Sequence, residues 1–195
     1  MTINSNCPRI MRETSAGLFL YEIQDDMLQR RELELTGTIE SGLVYDLCRQ
    51  LRYLQQDDPT GEITMFINSP GGEVDSGLAL YDVMKGITCP IRTVCLGIAA
   101  SMGAVLFAAG DKRDILPHGR VMIHDPLISS TGGSALHLQE ISRNLMETRR
   151  ELCEILARHT GKTLEELYEK TVRDCWFSAE EAVAFGLADR VIHNV

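Results

Sequence analysis

The same order of elements occurs twice in the middle of the chain, and this repetition constrains the fold more than any other feature. Residues 62–68 (EITMFIN) predict a buried strand, residues 69–72 (SPGG) a tight turn, and residues 74–86 a helix. Residues 91–98 (IRTVCLGI) predict a second strand, which passes into a helix over residues 101–110. Strands that alternate with helices are typical of parallel βαβ units, whose loops meet at the carboxyl edge of the sheet. The sequence therefore predicts an α/β fold.

The remaining segments add strands and helices around these two units. A chain of 195 residues suits one domain with a single core, which we expect to span residues 1–195. Two capping-box patterns, T-L-E-E from Thr163 and S-A-E-E from Ser178, each predict the start of a helix. The other predictions are strands over 32–37, 119–124 and 188–194, helices over 40–55 and 135–159, and an irregular N-terminal arm over 1–16.

The charge balance limits the kinds of partner. The formal net charge is −9 and the pI is about 5.0, which argues against a nucleic-acid or anionic-membrane partner because either requires a basic surface. The uncharged run over residues 93–110 has the minimum length of a membrane-spanning helix, but its many glycines and alanines favour a buried strand, turn and helix. The N-terminus has no apolar stretch of signal-peptide length, so a cytoplasmic protein is expected.

The cysteine pattern gives no sign of a metal site. The six cysteines form no C-x-x-C pair, which argues against a zinc ribbon or a thioredoxin-type motif. Most of them lie among apolar residues, where a free cysteine behaves as a small hydrophobic side chain. We therefore expect reduced thiols and no bound metal.

One hydroxyl lies among small and apolar residues where the second strand meets its helix. In the stretch CLGIAASMGAVL (95–106), Ser101 is the third residue of an A-x-S-x-G pattern, a looser form of the nucleophile elbow G-x-S-x-G. A serine hydroxyl becomes a useful nucleophile when a base removes its proton and amide donors stabilise the oxyanion. The helix N-terminus would favour negative charge near Ser101. Taken alone, the pattern also fits a small residue at a close helix contact.

The SPGG segment offers candidate amide donors. Its two glycines, Gly71 and Gly72, allow backbone N–H groups to face a ligand with no Cβ in the way. At the sheet edge beside Ser101, such a turn would supply an oxyanion hole, and an ordinary turn is the alternative. The dinucleotide-binding pattern G-x-G-x-x-G is absent from the segment.

His124 has the most suitable position among the five histidines for a catalytic base, because it ends the predicted strand RVMI. Asp125 is next to it, but neighbours on a strand point to opposite faces. Asp174 falls in a predicted loop, where burial against the aromatic rings of residues 176–177 would shield a hydrogen bond to histidine. A solvated ion pair of Asp174 with Arg173 is the alternative. The other histidines, His118, His137, His159 and His193, fit a turn, the surface, a helix end and the chain end.

Four separated segments carry these residues in order: INSPGGEVDSGLALYDVM, GIAASMGAVLFAAG, GRVMIHDPL and LARHTGKTLEELYEKTVRDCWFSAEEAVAFGLAD. Together they resemble the proteolytic subunit of the ATP-dependent Clp protease, and the resemblance runs from about Gly37 to the C-terminus. Four motifs in the right order are far more specific than any one alone. The resemblance implies a crotonase-like fold of stacked ββα units, with a protruding handle helix in the region of about 125–160.

The resemblance also implies an activity and an assembly. It implies a serine endopeptidase with Ser101 as nucleophile, His124 as base and Asp174 as orienting acid, and with the backbone N–H groups of Gly72 and Met102 as oxyanion donors. Its substrates would be unfolded polypeptides, cut inside a chamber of two stacked heptameric rings of identical subunits. A partner AAA+ Clp unfoldase would use the ATP, so the resemblance implies no cofactor for this chain.

The sequence departs from the family pattern in three respects. After H-D-P-L the family usually carries Gly-Gly, where this chain has residues 128–131 (ISST), and Asp125 replaces the usual glutamine. In the docking pocket for the unfoldase, Thr64 and Gly86 replace aromatic residues and Asp114 occupies an apolar position. Because aromatic anchors dominate small interfaces, we expect weak docking, or reliance on a second subunit type in a mixed assembly.

Two other functions remain open from the sequence. A crotonase-type acyl-CoA enzyme uses a similar oxyanion hole, but its chemistry needs no nucleophilic serine. A structural ring subunit would carry the same three side chains without aligning them.

Overall fold

Parallel strands form the centre of the structure. The computed structural model describes residues 9–15, 17–128 and 132–195. The strands are β1 (Arg9–Thr14), β2 (Gly17–Glu22), β3 (Glu32–Ile39), β4 (Ile63–Gly72), β5 (Ile91–Ala100), β6 (Lys112–Ile115), β7 (Arg120–Ile123), β8 (Cys175–Phe177) and β9 (Arg190–Val191). The helices are α1 (Ile23–Gln29), α2 (Ser41–Asp57), α3 (Val74–Gly86), α4 (Met102–Ala108), α5 (Ala135–Thr160), α6 (Leu164–Thr171) and α7 (Ala179–Phe185).

The main sheet confirms the predicted α/β fold with parallel units. β3, β4, β5, β6 and β9 lie side by side in this order, and each neighbouring pair is parallel. β7 pairs in parallel with the last residues of β5, up to the pair Ala100↔Met122, and β8 pairs antiparallel with β7. The carboxyl ends of β4, β5 and β7 therefore meet at one edge of the sheet.

The SPGG segment is not the tight turn that the sequence predicts. It continues β4 to Gly72, and after an irregularity in the ladder Gly72 pairs with Ile39 of β3. The buried Ser69 hydroxyl donates to the Gly37 carbonyl at 2.6 Å and accepts from the N–H of Gly71 at 3.1 Å. These contacts hold an extended arm at the sheet edge, because they satisfy polar groups that a free turn would present to water.

Helix α4 lies inside the core and explains the long uncharged run. Every residue of α4 is buried, and the helix packs against β4, β5, α3 and α5. Residues 93–110 are thus a buried strand followed by a buried helix, as the glycines and alanines predict. Among the described ranges, no helix is both long enough and apolar enough to cross a membrane.

Helix α5 has two different halves. Residues 135–147 are mostly exposed, whereas Leu152, Cys153, Ile155 and Leu156 pack into the core. The first half therefore extends away from the body of the subunit, and the predicted helix over 135–159 is confirmed. The segment 129–131, part of the departure from the family pattern, lies outside the described residues.

Several short elements were missed from the sequence. These are α1, β6 and β8, together with β1 and β2, which pair with each other in antiparallel orientation. An irregular arm over 1–16 is therefore wrong for Arg9–Thr14, while residues 1–8 and 16 lie outside the described part of the chain. Both capping boxes are confirmed, at Thr163 and Ser178. Five cysteines are free thiols, as expected, and Cys7 lies outside the described residues.

Arg31 joins the end of α2 to the sheet. Its backbone has a φ of 61°, in the left-handed region, directly before β3. Its guanidinium donates to the carbonyls of Leu54 at 3.1 Å, Asp58 at 3.0 Å and Gly61 at 3.1 Å. The Leu54 carbonyl also accepts from the Asp58 N–H at 3.0 Å, so Arg31 adds a second donor at the end of α2 and binds the loop that follows the helix.

His159 is in the last turn of α5, where it belongs to a cluster of polar side chains. The hydroxyl of Tyr81 is 3.1 Å from His159 Nε2 and accepts a hydrogen bond from Arg158 Nη1 at 3.2 Å. Burial, followed by the charges of Lys85 and Arg113, lowers the pKa of His159 to about 4. The folded protein therefore holds this imidazole neutral at pH values where the unfolded chain binds a proton.

This depressed pKa predicts a loss of stability on acidification. Above pH 6.5 the imidazole is neutral in both states and contributes no pH dependence, and between pH 6.5 and about 4 the unfolded state takes up the extra proton. After a discount for partial exposure, we expect a loss on the order of 1–2 kcal/mol from His159 by pH 4.5. Urea unfolding from pH 7.5 to 4.5 should have a shallower acid limb in His159→Gln. The exposed His137→Gln is the control, and equal slopes in all three proteins would contradict the assignment.

Candidate active site

Ser101 lies at the junction of β5 and α4 in a strained backbone conformation. Its φ of 54° and ψ of −124° fall in a region that non-glycine residues rarely occupy. The Ser101 N–H donates to the Met122 carbonyl on β7 at 2.8 Å, which fixes the junction to the neighbouring strand. The chain enters α4 at the next residue, Met102, so Ser101 caps a helix whose first N–H groups have no intrahelical partner. This is the geometry of a nucleophile elbow.

The hydroxyl of Ser101 lies within hydrogen-bond distance of His124. Ser101 Oγ is 2.8 Å from His124 Nε2. The parallel pairing of β5 with β7 creates this contact, because Ala100 is level with Met122 and both chains continue past the same edge of the sheet. Deprotonation of Ser101 by the imidazole needs no movement of either side chain.

Asp174 lies on the other side of the imidazole. Its Oδ1 is 3.3 Å from His124 Nδ1. The antiparallel ladder of β7 and β8 explains this position, since Ile123 pairs with Cys175 and the next positions outward on the two strands are His124 and Asp174. The structure thus connects Ser101 to Asp174 through the two nitrogens of the His124 imidazole.

The expected burial of Asp174 against aromatic rings is wrong. The Asp174 side chain is 63% exposed, whereas that of His124 is 14% exposed. The Trp176 ring lies under the guanidinium of Arg120, 4.5 Å from its centroid, and is itself partly exposed. The Phe177 ring packs against the Phe185 ring, 4.8 Å between centroids, so neither aromatic ring covers Asp174.

Two glycines at the end of β4 fit tightly around Ser101. A Cβ on Gly71, whose φ is 97°, would lie 2.6 Å from the Cβ of Ser101. A Cβ on Gly72 would lie 2.1 Å from the Ile39 carbonyl oxygen. Real Cβ atoms do not approach other atoms so closely, so only glycine allows these backbones to meet. The sequence singled out both glycines, but the contact of Gly71 with Ser101 depends on the three-dimensional arrangement.

A cavity of about 130 Å³ opens beside these residues. Gly72, Ser101, Met102 and His124 line one side of it, so the two candidate oxyanion donors share a cavity with the hydroxyl. Apolar side chains form most of the remaining wall, namely Val74, Val105, Ile123, Pro126, Leu127, Leu152 and Leu156. An apolar cavity with a few polar groups at one end suits a substrate side chain next to the reacting bond.

Other polar groups in the wall are not alternative nucleophiles or bases. Burial raises the pKa of the Cys153 thiol, so it remains protonated and poorly nucleophilic. The Asp125 carboxylate pairs with Arg149 at 2.8 Å. Within the described ranges, no three histidine, cysteine or acidic side chains are grouped as metal ligands.

Comparison with known proteins places these residues in a sequence family. A family model described as Clp protease matches residues 15–195 of the chain. A curated protein named ATP-dependent Clp protease proteolytic subunit 2, from Nocardia farcinica (strain IFM 10152), is 41% identical over 195 residues. That alignment covers 98% of this chain and 96% of the relative. Both matches include the segments that carry Ser101, His124 and Asp174.

The close contact at Gly71 predicts a loss of Ser101 reactivity without a change of any polar group. In Gly71→Ala, both the left-handed φ and the approach to Ser101 require the elbow to shift. A shift of about 1 Å is expected to lower the rate of reaction with a fluorophosphonate probe by roughly 100-fold. Gly42→Ala is the matched control, since nothing lies within 4 Å of its added Cβ. Equal labelling rates for the two variants would disprove the constraint.

Proposed function

This chain belongs to the Clp protease family, and on that premise we propose that it is a Clp-type serine endopeptidase subunit whose nucleophile is Ser101. The resemblance stated from the four segments is confirmed by both matches, and with it a hydrolase that acts on peptide bonds. The observation that carries the proposed nucleophile is the 2.8 Å contact between Ser101 Oγ and His124 Nε2.

We assign His124 as the general base and Asp174 as its orienting acid. The 3.3 Å contact with Asp174 supports a proton on Nδ1, which leaves the Nε2 lone pair to accept the proton of Ser101. Asp174 then stabilises the imidazolium that forms. Because the Asp174 carboxylate is 63% exposed, water competes for its hydrogen bonds. Its share of catalysis is therefore expected to be smaller than that of a fully buried acid.

The backbone N–H groups of Gly72 and Met102 are the proposed oxyanion donors. Both residues line the cavity that contains the Ser101 hydroxyl. Met102 is the first residue of α4, so its N–H has no intrahelical acceptor. The absence of a Cβ at Gly72 lets substrate approach the backbone directly. Donors fixed in the backbone need no reorganisation when negative charge develops, which is the main source of their catalytic effect.

The reaction then proceeds in two acyl-transfer steps. His124 Nε2 takes the proton of Ser101 as Oγ forms a bond to the peptide carbonyl carbon, and the carbonyl oxygen becomes the oxyanion. The intermediate collapses when the C–N bond breaks, and His124 returns its proton to the leaving amine. Water attacks the resulting ester in the same manner, His124 accepting its proton and passing it to Ser101 Oγ. The product acid leaves and the enzyme returns to its starting state.

We further propose the cytoplasmic, ring-shaped assembly that the family resemblance implies, two stacked heptameric rings. The name of the Nocardia relative describes a proteolytic subunit of an ATP-dependent protease, which supports a partner ATPase and unfolded polypeptide substrates. The exposed half of α5 carries Leu136, Leu138 and Met146, and this apolar surface supports contact with a second ring. The ATP is used by the partner, and no cofactor is assigned to this chain.

Docking of the ATPase is proposed to be weak, or shared with a second type of subunit. Asp114, at a position that is apolar in the family pattern, is 1% exposed and accepts from Arg92 Nε at 2.6 Å and Arg190 Nε at 2.7 Å. Burial raises the pKa of Asp114, but the hydrogen bonds from Arg190 and Arg92 outweigh burial and lower it. An incoming apolar anchor would have to desolvate the guanidinium of Arg190, which is 64% exposed.

The alternatives from the sequence have less support. In a purely structural subunit, Ser101 and His124 would be too far apart for proton transfer. The 2.8 Å distance between Ser101 Oγ and His124 Nε2 argues against this. A crotonase-type acyl-CoA enzyme has no use for the serine, and membership in the Clp protease family favours the peptidase.

Labelling with a fluorophosphonate tests the proposed nucleophile. We expect stoichiometric modification of Ser101, located by mass spectrometry, and none in Ser101→Ala. Asp174→Asn should retain the fold, and its labelling rate should be lower by about 10²–10⁴-fold. The corresponding change in chymotrypsin-type proteases lowers turnover by roughly 10⁴-fold. An Asp174→Asn protein with more than a tenth of the rate would mean that another group orients His124.

The docking proposal is tested with a Clp unfoldase and ATP. The purified chain is expected to give little stimulation of ATP hydrolysis, with no saturation at micromolar concentrations. Joint replacement of Arg92, Asp114 and Arg190 by leucine removes the three charges together and is expected to strengthen docking. Tight, saturable stimulation by the unmodified chain would refute weak docking, and would leave the assignment of Ser101 unaffected.

A further inference from the structure

We propose that Arg149, on the buried half of α5, is a positioning residue that holds His124 and Asp174 in register. The proposal rests on the roles given above to these two side chains. Arg149 does not contact Ser101 or the reacting atoms. It lies where the end of β7, helix α5 and helix α6 meet, in the wall of the cavity beside Ser101.

The first set of contacts joins α5 to the residue that follows His124. Arg149 Nε is 2.8 Å from Asp125 Oδ2, at an angle that makes the contact an ion pair rather than a well-directed hydrogen bond. The Arg149 side chain is 18% exposed and that of Asp125 is 29% exposed. Because an ion pair shielded from water loses less to screening than one on the surface, this contact restrains the chain directly after His124.

The second set of contacts joins the same guanidinium to α6. Arg149 Nη2 donates to the Tyr168 carbonyl at 3.0 Å, and the guanidinium carbon lies 4.4 Å from the centroid of the Tyr168 ring. A planar guanidinium can stack on a ring and donate in its own plane at the same time, which an ammonium cannot do. Arg149 thus fixes the last turns of α6 relative to Asp125.

The chain carries this restraint to Asp174. The Asp125 N–H donates to the Thr171 carbonyl, the last residue of α6, at 2.7 Å. Two residues, Val172 and Arg173, separate Thr171 from Asp174, which directly precedes β8. Arg149 is thus at the centre of one set of contacts. These contacts restrain both the residue that follows His124 and the segment that precedes Asp174.

Such a restraint is needed because the His124–Asp174 contact is poorly protected. Asp174 is 63% exposed and its separation from His124 is 3.3 Å, so the contact itself contributes little rigidity. β8 has only three residues and gives the Asp174 backbone a short ladder. Removal of Arg149 would also leave the carboxylate of Asp125 without its counter-ion, and Asp125 Oδ1 is already buried without a hydrogen-bond partner. That carboxylate would then move toward water and carry the end of β7 with it.

Steady-state kinetics on a short fluorogenic peptide separate positioning from folding. In Arg149→Met, which keeps the length of the side chain, we expect kcat to fall by roughly 10–100-fold with KM changed less than threefold. Arg149→Lys keeps the charge beside Asp125 but loses the stacking and the planar donor, so an intermediate kcat is expected. Asp125→Asn combined with Arg149→Met should be no worse than Arg149→Met alone, because no unpaired carboxylate remains.

Arg150→Met is the matched control, since Arg150 is the next residue of α5, is 72% exposed and pairs with Glu154 of its own helix. It should retain the kcat of the unmodified protein. Size-exclusion chromatography and thermal unfolding monitor assembly and folding in every variant. A kcat for Arg149→Met within twofold of the control, or a loss that only follows the unfolded fraction, would overturn the proposal.

A crystal structure of Arg149→Met gives a readout that does not depend on activity. We expect the distance between His124 Nδ1 and Asp174 Oδ1 to lengthen beyond hydrogen-bond range, and an unchanged distance would overturn the proposal. Failure of Ser101 labelling in the unmodified protein would instead refute the proposed nucleophile, so the two failures are distinguishable.

Discussion

The approach of β4 to the Ser101 elbow determines how the rest of the site is built. Gly71 brings backbone to the Cβ of Ser101, and Gly72 brings backbone to Ile39 on the other side. Strands β3, β4 and β5 can end together only because neither position carries a side chain. The elbow then starts α4 in the interior, where small and apolar side chains are the only ones that fit. The close approach of backbone at Ser101 thus accounts for the small and apolar side chains of the uncharged run over residues 93–110.

Much of this arrangement could be predicted from the sequence, because its signals are local. Periodicity gave the parallel units and the long helix, and the capping boxes gave the starts of α6 and α7. Strand β8 could not be found in this way, since three residues carry no periodic signal and its partner β7 lies about fifty residues away. The SPGG segment was mistaken for a turn because pairing with Ile39 and the hydrogen bonds of Ser69 override its local preference.

Carboxylates with arginine partners stand at two positions where the family pattern has an apolar or a neutral side chain. Asp114 lies between Arg92 and Arg190 on the sheet, and Asp125 pairs with Arg149 next to His124. Pairs of this kind add little net stability, because desolvation offsets the attraction. They do impose geometry, since a guanidinium fits its acceptors in few orientations. At Asp114 and Asp125 the chain therefore has directional contacts.

The Arg31 contacts couple the end of α2 to the start of β3 during folding. The Leu54 carbonyl in the last turn of α2 and the Asp58 carbonyl after it accept from Arg31, which lies directly before β3 and more than twenty residues earlier in the sequence. The Asp58 N–H caps the helix at Leu54, and the bonds from Arg31 are added only when the segment before β3 is in place. A fragment that contains α2 alone would lack the bonds from Arg31 and would fray further at its end. Local opening of α2 in the native protein is accordingly coupled to opening of the β3 edge of the sheet, so the two form one cooperative unit in hydrogen exchange.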